Sequence, residues 1–270
     1  MVYGTTYETI KFDLEDKIAT IWFNRPHIQN AWSPEVTSEL TDLLRRVAGD
    51  SEALVLILTG AGDKAFSSGA YLKEEEVHKA HSAGDFVNSY LTEFNTHPPF
   101  DIVESFPKPI IAAINGYAFG IGFIVALCCD ILIASENATM GLPQVSLGLL
   151  PAYGGAYRLA RFVGKGNAMS MVLLSERIDA KEAYRIGVVK KVLPQGELMK
   201  EARGIASKLA SYPPLGLRFA KESLNLGMDI PLHHASIADV TRMYLLQTSK
   251  DAEEAHRAWR EKRKPEFQGK

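Results

Sequence analysis

The sequence predicts an α/β fold followed by a layer of C-terminal helices, and three observations carry the prediction. Short branched apolar runs recur at 53–60 (ALVLILTG), 110–114 (IIAAI) and 131–133 (ILI), with the length and composition of strands buried on both faces. A glycine-rich stretch, TGAGDKAFSSGAYL, overlaps the end of the first run, and loops leaving buried parallel strands commonly carry function. From Gly196 onward the pattern is helical, with breaks at SYPP and at 229–231. The chain's 270 residues allow one large α/β domain or two small ones. The division expected is a core over 1–195 and a helical region over 196–270.

The N-terminal runs ETIKFDLE and KIATIWF read as a hairpin turning at Asp16. NRPHIQNAWSPEV then leads into a helix, with Ser33 as N-cap and Pro34 in its first position. Val36, Leu40, Leu43, Leu44 and Val47 fall on one face of it. Residues 72–106 are polar and irregular, and helices covering a pocket are expected there. The segment 110–134, IIAAINGYAFGIGFIVALCCDILIA, is apolar almost throughout. It is not a membrane span: Asn115-Gly116 and Asp130 break it, leaving a piece too short to cross a bilayer. It reads instead as buried strand, turn, short buried helix and buried strand. SENATMGLPQVSLGLLPAYGGAYRLARFVG reads as a loop punctuated by glycines and prolines, and Asp179 with Glu182 resembles a capping box opening a helix that ends at Gly187.

Composition narrows the function classes. An apolar fraction of 46% and a charged fraction of 23% indicate neither disorder nor a membrane protein. A net charge of −2 gives no reason to expect nucleic acid as a partner. Cys128 and Cys129 are adjacent inside the apolar run, where neither a disulfide framework nor a metal site fits. A reducing, cytoplasmic setting is expected, and the opening residues carry no recognisable targeting pattern.

Taken together, FNRPHIQNAW, LTGAGDKAFSSGAYLKE, KPIIAAINGYAFGIGF, CDILIASENATMGLPQVSLGLLPAYGGAYRL and AWREKRKPEF resemble, in order and spacing, the crotonase superfamily of enoyl-CoA hydratases and isomerases. The resemblance runs from about Ile18 to Phe267. It implies a crotonase-like spiral of ββα turns forming two sheets, and a helical C-terminal region that assembles a homotrimer or a dimer of trimers, for which the apolar stripes in IASKLASY and ADVTRMYLLQ need a partner surface. It also implies an acyl-CoA thioester as substrate, with no permanently bound cofactor and no metal. By position the oxyanion-hole N–H groups would be those of Ala70 and Ile121. Ser68, Gly69, Gly120 and Gly122 would line the pocket, the glycines letting the backbone approach a ligand closely.

The sequence also departs from that pattern. Where the hydratases place two glutamates around a water, this chain has Ile124 and Gln144. Ile124 cannot transfer a proton, and Gln144 can orient a group but does not titrate. Tyr71 replaces an aspartate that is chiefly structural in the family, either as a packing substitution or as a new pocket hydroxyl. Other candidates for proton chemistry are Glu74 and His78, four residues apart on one helix face, although a solvated charged face is the commoner use of such a run. Tyr153 and Tyr157 are further candidates, for which wall packing is the commoner role. Arg25, Lys73, Lys262, Arg263 and Lys264 match positions that contact CoA in relatives. The resulting expectation is an enolate-stabilising acyl-CoA enzyme with an isomerase, C–C hydrolase or decarboxylase outcome. A hydratase with substitute acid/base groups and a non-catalytic acyl-CoA-binding subunit are the alternatives.

Overall fold

The computed structural model describes residues 6–71 and 100–270. Lys73, Glu74, His78 and most of the expected pocket helices lie outside the described residues. The chain opens with β1 (Ile10–Glu15) and β2 (Ile18–Phe23), paired antiparallel. Asp16 and Lys17 turn between them at φ 51° and 64°, the backbone handedness that matches strand twist in a tight hairpin. Helix α1 (Pro34–Gly49) follows, then β3 (Val55–Gly60), β4 (Ala65–Ser67) and the short α2 (Phe100–Glu104). The central apolar run becomes β5 (Ile110–Ile114), β6 (Tyr117–Phe119), α3 (Ile121–Leu127) and β7 (Ile131–Ser135). Next come β8 (Thr139–Gly141), α4 (Gly155–Leu173), β9 (Arg177–Asp179), α5 (Ala180–Arg185) and β10 (Lys191–Leu193). The closing helices are α6 (Leu198–Ala210), α7 (Pro214–Gly227), α8 (Leu232–Gln247) and α9 (Lys250–Glu261).

Two sheets result, a large one in the order β1-β2-β3-β5-β7-β10 and a small one in the order β4-β6-β8-β9. The large sheet is parallel from β2 onward. Its central strands have no polar face because both faces are covered. Leu56, Leu58, Ala112 and Ile114 point into a core shared with α1 and α3, while Val55, Ile57, Ile111 and Ala113 meet Leu198, Ala202 and Ala206 of α6. The five apolar residues predicted for one face of α1 are its buried residues.

Several expectations need correction. Ser33 occupies the N-cap of α1, but its side chain makes no capping bond, and among the described residues its buried Oγ has no partner. The segment read as one turn after Asn115 contains β6, whose three residues are too few to show periodicity. The supposed loop of 135–164 holds β8 and the start of α4. Its paired glycines are helix entry rather than irregular chain: Gly154 is the left-handed N-cap and Gly155 the first helical residue. Asp179 does cap α5, accepting from Glu182 N–H at 2.7 Å; the Glu182 carboxylate binds Arg185 instead of completing the box. Finally, the apolar stripe in IASKLASY packs on the large sheet through Ala206, with Ile205 and Leu209 against the same cluster, and so has its partner within the chain.

Two predictions follow from this packing. Asn115, at the end of β5, accepts from Gly60 N–H and donates to the carbonyls of Gly60 and Gly62. Asn115→Ala leaves these buried groups unpaired and should cost about 2–4 kcal/mol in urea denaturation. Burial pushes the Cys128 thiol up to about 12 and that of Cys129 well above the ordinary range. Both should resist iodoacetamide at about pH 8 until the chain is unfolded. The unfolded thiols ionise near 9.0, so this contribution to stability is complete below that pH and declines as pH rises from there toward 12.

Candidate active site

The first glycine loop leaves β3 at Gly60, where any side chain would collide: a Cβ there would lie 2.0 Å from the Ala65 carbonyl oxygen. Asn30 fixes the turn by donating to the carbonyls of Ala61 and Ala65 at 3.0 and 2.7 Å. After β4 the chain is tied to residues 29–32. Ser68 N–H donates to Gln29 O, Trp32 N–H to Gly69 O, and Tyr71 N–H to Trp32 O. This is a parallel bridge between Trp32 and Ala70. In such a bridge the Ala70 N–H points away from Trp32, and among the described residues it has no acceptor.

The second loop joins β6 to α3. Gly120 sits at φ 51°, ψ −121°, a region in which a side chain is severely strained. Ile121 is the first residue of α3, and a first-turn N–H has no partner within its own helix. The two loops touch. A Cβ on Gly69 would lie 2.8 Å from the Phe119 carbonyl oxygen, and one on Gly122 would lie 2.4 Å from that of Ser67. A Cβ on Gly120 would come within 4.0 Å of the Gly69 Cα. The Ala70 and Ile121 N–H groups are thereby carried on backbones in direct contact.

Ile124, one turn into α3, is 1% exposed, and its Cδ1 and Cγ1 occupy the space that a side chain on Gly155 would need, 2.6 and 2.7 Å from that Cβ position. Gln144 lies in the 3₁₀ turn Pro143–Leu147. Its Nε2 is 3.4 Å from the Cβ position of Gly120, and its Oε1 is buried and, among the described residues, has no hydrogen-bond partner. Ile124 and Gln144 therefore flank the second loop with one alkyl and one amide side chain.

Of the other sequence candidates, Tyr71 is partly exposed, with the Arg25 guanidinium 5.4 Å from its ring; Arg25 also donates to Ala31 O. Tyr153, at φ 55°, packs its ring 5.4 Å from that of Phe100. Tyr157 lies under the Arg161 guanidinium. Lys262 and Lys264 are exposed, whereas Arg263 is held by Glu254 and Glu261 and is not a free cation for CoA.

Sequence reasoning missed Arg158. It is nearly buried, binds Glu104 and Asp101 of α2, and donates to the Tyr153 carbonyl. Burial works against its charge, but the Glu104 carboxylate more than offsets this, so its pKa stands above the ordinary value. Arg158 thus joins the end of α2 to the loop entering α4. Its signal was weak, one arginine on the apolar side of a helix that itself read as loop.

Gly120→Ala tests the loop geometry. The strained conformation should cost about 1–3 kcal/mol and displace the Ile121 amide. Thermal denaturation should show a lowered midpoint.

Comparison with known proteins agrees with this architecture. The model of the family described as enoyl-CoA hydratase/isomerase matches residues 13–270. A crotonyl-CoA hydratase of Syntrophomonas wolfei is 37% identical over 261 residues, 97% of this chain and 98% of that protein. A short-chain-enoyl-CoA hydratase of Clostridium acetobutylicum is 37% identical over 255 residues, 93% of this chain and 94% of that protein. The crystal structure of an enoyl-CoA hydratase from Bacillus anthracis superposes with a TM-score of 0.89 at 34% identity, covering 97% of this chain and all of that one. Crotonase-fold neighbours, the two sheets and the family match over nearly the full length lead to one conclusion: the chain belongs to the enoyl-CoA hydratase/isomerase family.

Proposed function

We propose that this protein binds an acyl-CoA thioester, stabilises negative charge on the thioester oxygen between the N–H groups of Ala70 and Ile121, and completes a reaction other than water addition. The observation that carries the reading is a pair of amides, without acceptors among the described residues, on glycine loops in contact. Amides positioned before the reaction need no reorganisation as charge develops, and one such donor contributes about 3–4 kcal/mol to the transition state. The enolate stabilised in this way is the common intermediate for double-bond migration, C–C hydrolysis and decarboxylation.

Ile124 and Gln144 disfavour hydration. Water addition needs one group to activate the water and another to protonate the α-carbon. A buried isoleucine packed on Gly155 offers a water no hydrogen bond, and glutamine does not titrate. Proton transfer is proposed to fall to Tyr71, Glu74 or His78, and anchoring of the CoA phosphates to Arg25, Lys73, Lys262 and Lys264. The names of the relatives, crotonyl-CoA hydratase and short-chain-enoyl-CoA hydratase, favour a second reading, in which one of those groups substitutes in hydration.

We also propose a homotrimer or a dimer of trimers. Val240, Met243, Tyr244 and Leu245 of α8 are exposed, as are Leu224 and Met228 near the end of α7, an apolar surface larger than single scattered residues explain. Light scattering at micromolar concentration should show at least three copies; a monomer would contradict the proposal.

Calorimetric titration with acetoacetyl-CoA should show binding, and its absence at millimolar ligand would overturn the acyl-CoA reading. Crotonyl-CoA hydration should fall at least ~10²-fold below the ~10 s⁻¹ ordinary for enzymes. An ordinary rate establishes the second reading instead. Under the first reading, Gln144→Glu alone should change this little, while Gln144→Glu combined with Ile124→Glu should raise hydration measurably. Tyr71→Phe, Glu74→Gln and His78→Asn identify the proton carrier: the responsible substitution should slow α-proton exchange with D₂O by about 10²–10⁴-fold. A protein that binds thioesters but exchanges no α-proton is a binding subunit.

A further inference from the structure

We infer that Arg158 is a positioning residue: by clamping the backbone of Tyr153 it aims that ring at the acyl group bound between the two glycine loops. The inference rests on the acyl-CoA reading above and adds to it the residues that shape the acyl side of the site.

Among the described residues Arg158 is the one basic residue that is buried, at 6% exposed. Burying a charge is costly unless it is paired and hydrogen-bonded, and exchanging a buried ion pair for apolar residues of similar volume is often neutral or stabilising. Stability alone therefore does not explain the residue. What the guanidinium supplies, and an apolar side chain cannot, is a fixed direction. Its Nε and Nη2 form a fork on the Glu104 carboxylate at 3.2 and 2.7 Å, and Nη2 also reaches Asp101 at 3.2 Å. Nη1 donates to the Tyr153 carbonyl. A Cβ at Gly154 would lie 2.6 Å from this Nη1, so the guanidinium sits directly on the turn.

That turn is strained. Tyr153 and Gly154 are consecutive left-handed residues, at φ 55° and 73°. Glycine adopts this conformation freely, whereas in a bulky residue it is an outlier that persists only where the surroundings over-determine it. Among the described non-glycine residues with positive φ, Tyr153 is the only aromatic one. Arg158 supplies the constraint: it holds the Tyr153 carbonyl from one turn further along α4, and its other bonds anchor it on α2.

The held segment packs against the support of each glycine loop. The Tyr153 ring lies 5.4 Å from that of Phe100, and Phe100 lies 6.5 Å from Trp32, the residue bridged to Ala70. Two residues on, the space beside Gly155 is filled by Ile124 of the helix that starts at Ile121. Segment 153–155 thus meets the surroundings of both amides, and the Tyr153 ring, 39% exposed, is a surface that a ligand can reach.

The test is a double-mutant cycle read as a ratio of affinities, acetoacetyl-CoA over CoA, measured calorimetrically on the full-length protein. A fall in the folded fraction affects both ligands alike, so the ratio reports the acyl side alone. Wild type should favour the thioester. Arg158→Met and Tyr153→Gly, the latter keeping the left-handed backbone, should each lower the ratio about 10-fold, the loss of roughly one good contact. The double variant should lower it no further, because the arginine acts through the tyrosine. Arg158→Lys, which keeps the charge without the fork, should fall between wild type and Arg158→Met. A ratio unchanged in either single variant overturns the inference, as do losses that multiply to about 100-fold in the double variant. Should Arg158→Met not fold, the same cycle run with Arg158→Lys decides by the same criterion. Equal affinity of wild type for the two ligands overturns this inference alone. No binding of acetoacetyl-CoA by wild type overturns the acyl-CoA reading, and this inference falls with it.

Discussion

The site depends on one contact, the approach of the 69–70 backbone to the 119–122 backbone at a separation that no side chain could share. Gly69 stands against the Phe119 carbonyl and Gly122 against that of Ser67. Each would-be Cβ falls under 3.0 Å from its neighbour, so the positions are closed to other residues without movement of a strand end. The large sheet makes this approach reproducible. β3 and β5 lie side by side in parallel; the first glycine loop leaves β3, and the second follows β6, the strand after β5. Asn115 spans the two exits, binding Gly60 from the end of β5.

Much of this was legible in the sequence because it is written in strong local signals. The three central strands are branched apolar runs, and covering both sheet faces explains why they show no alternation. The N-terminal hairpin and the α1 stripe were readable for similar reasons. Loop glycines said where the backbone must be permissive, but not which loops meet. That pairing came from the family resemblance, and the structure gives its physical content as the Gly69 and Gly122 contacts.

What escaped the sequence was short or non-local. β6 and β8 have three residues each, below the length at which a period of two declares itself. Helix α4 is entered through two glycines, its N-cap and its first residue, and kinks at Gly164, so helix propensity argued against it and tertiary packing decided. Arg158 binds carboxylates 54 and 57 residues away in the chain, a separation at which spacing carries no information. The apolar stripe of α6 looked like an assembly surface because its true partner, the outer face of the large sheet, precedes it by more than 60 residues.

The interlock of Ile124 with Gly155 makes two distant positions a single unit of change. The isoleucine terminus fills the volume above the glycine Cα, so the residue that begins α4 and the residue one turn into α3 share one allotment of space. Introducing a carboxylate at 124 alters that shared volume as well as the chemistry, and a larger residue at 155 requires a smaller one at 124. A change of residue at 124 is thus coupled through packing to the entry of α4. Among relatives the two positions should vary together, even though 31 residues separate them.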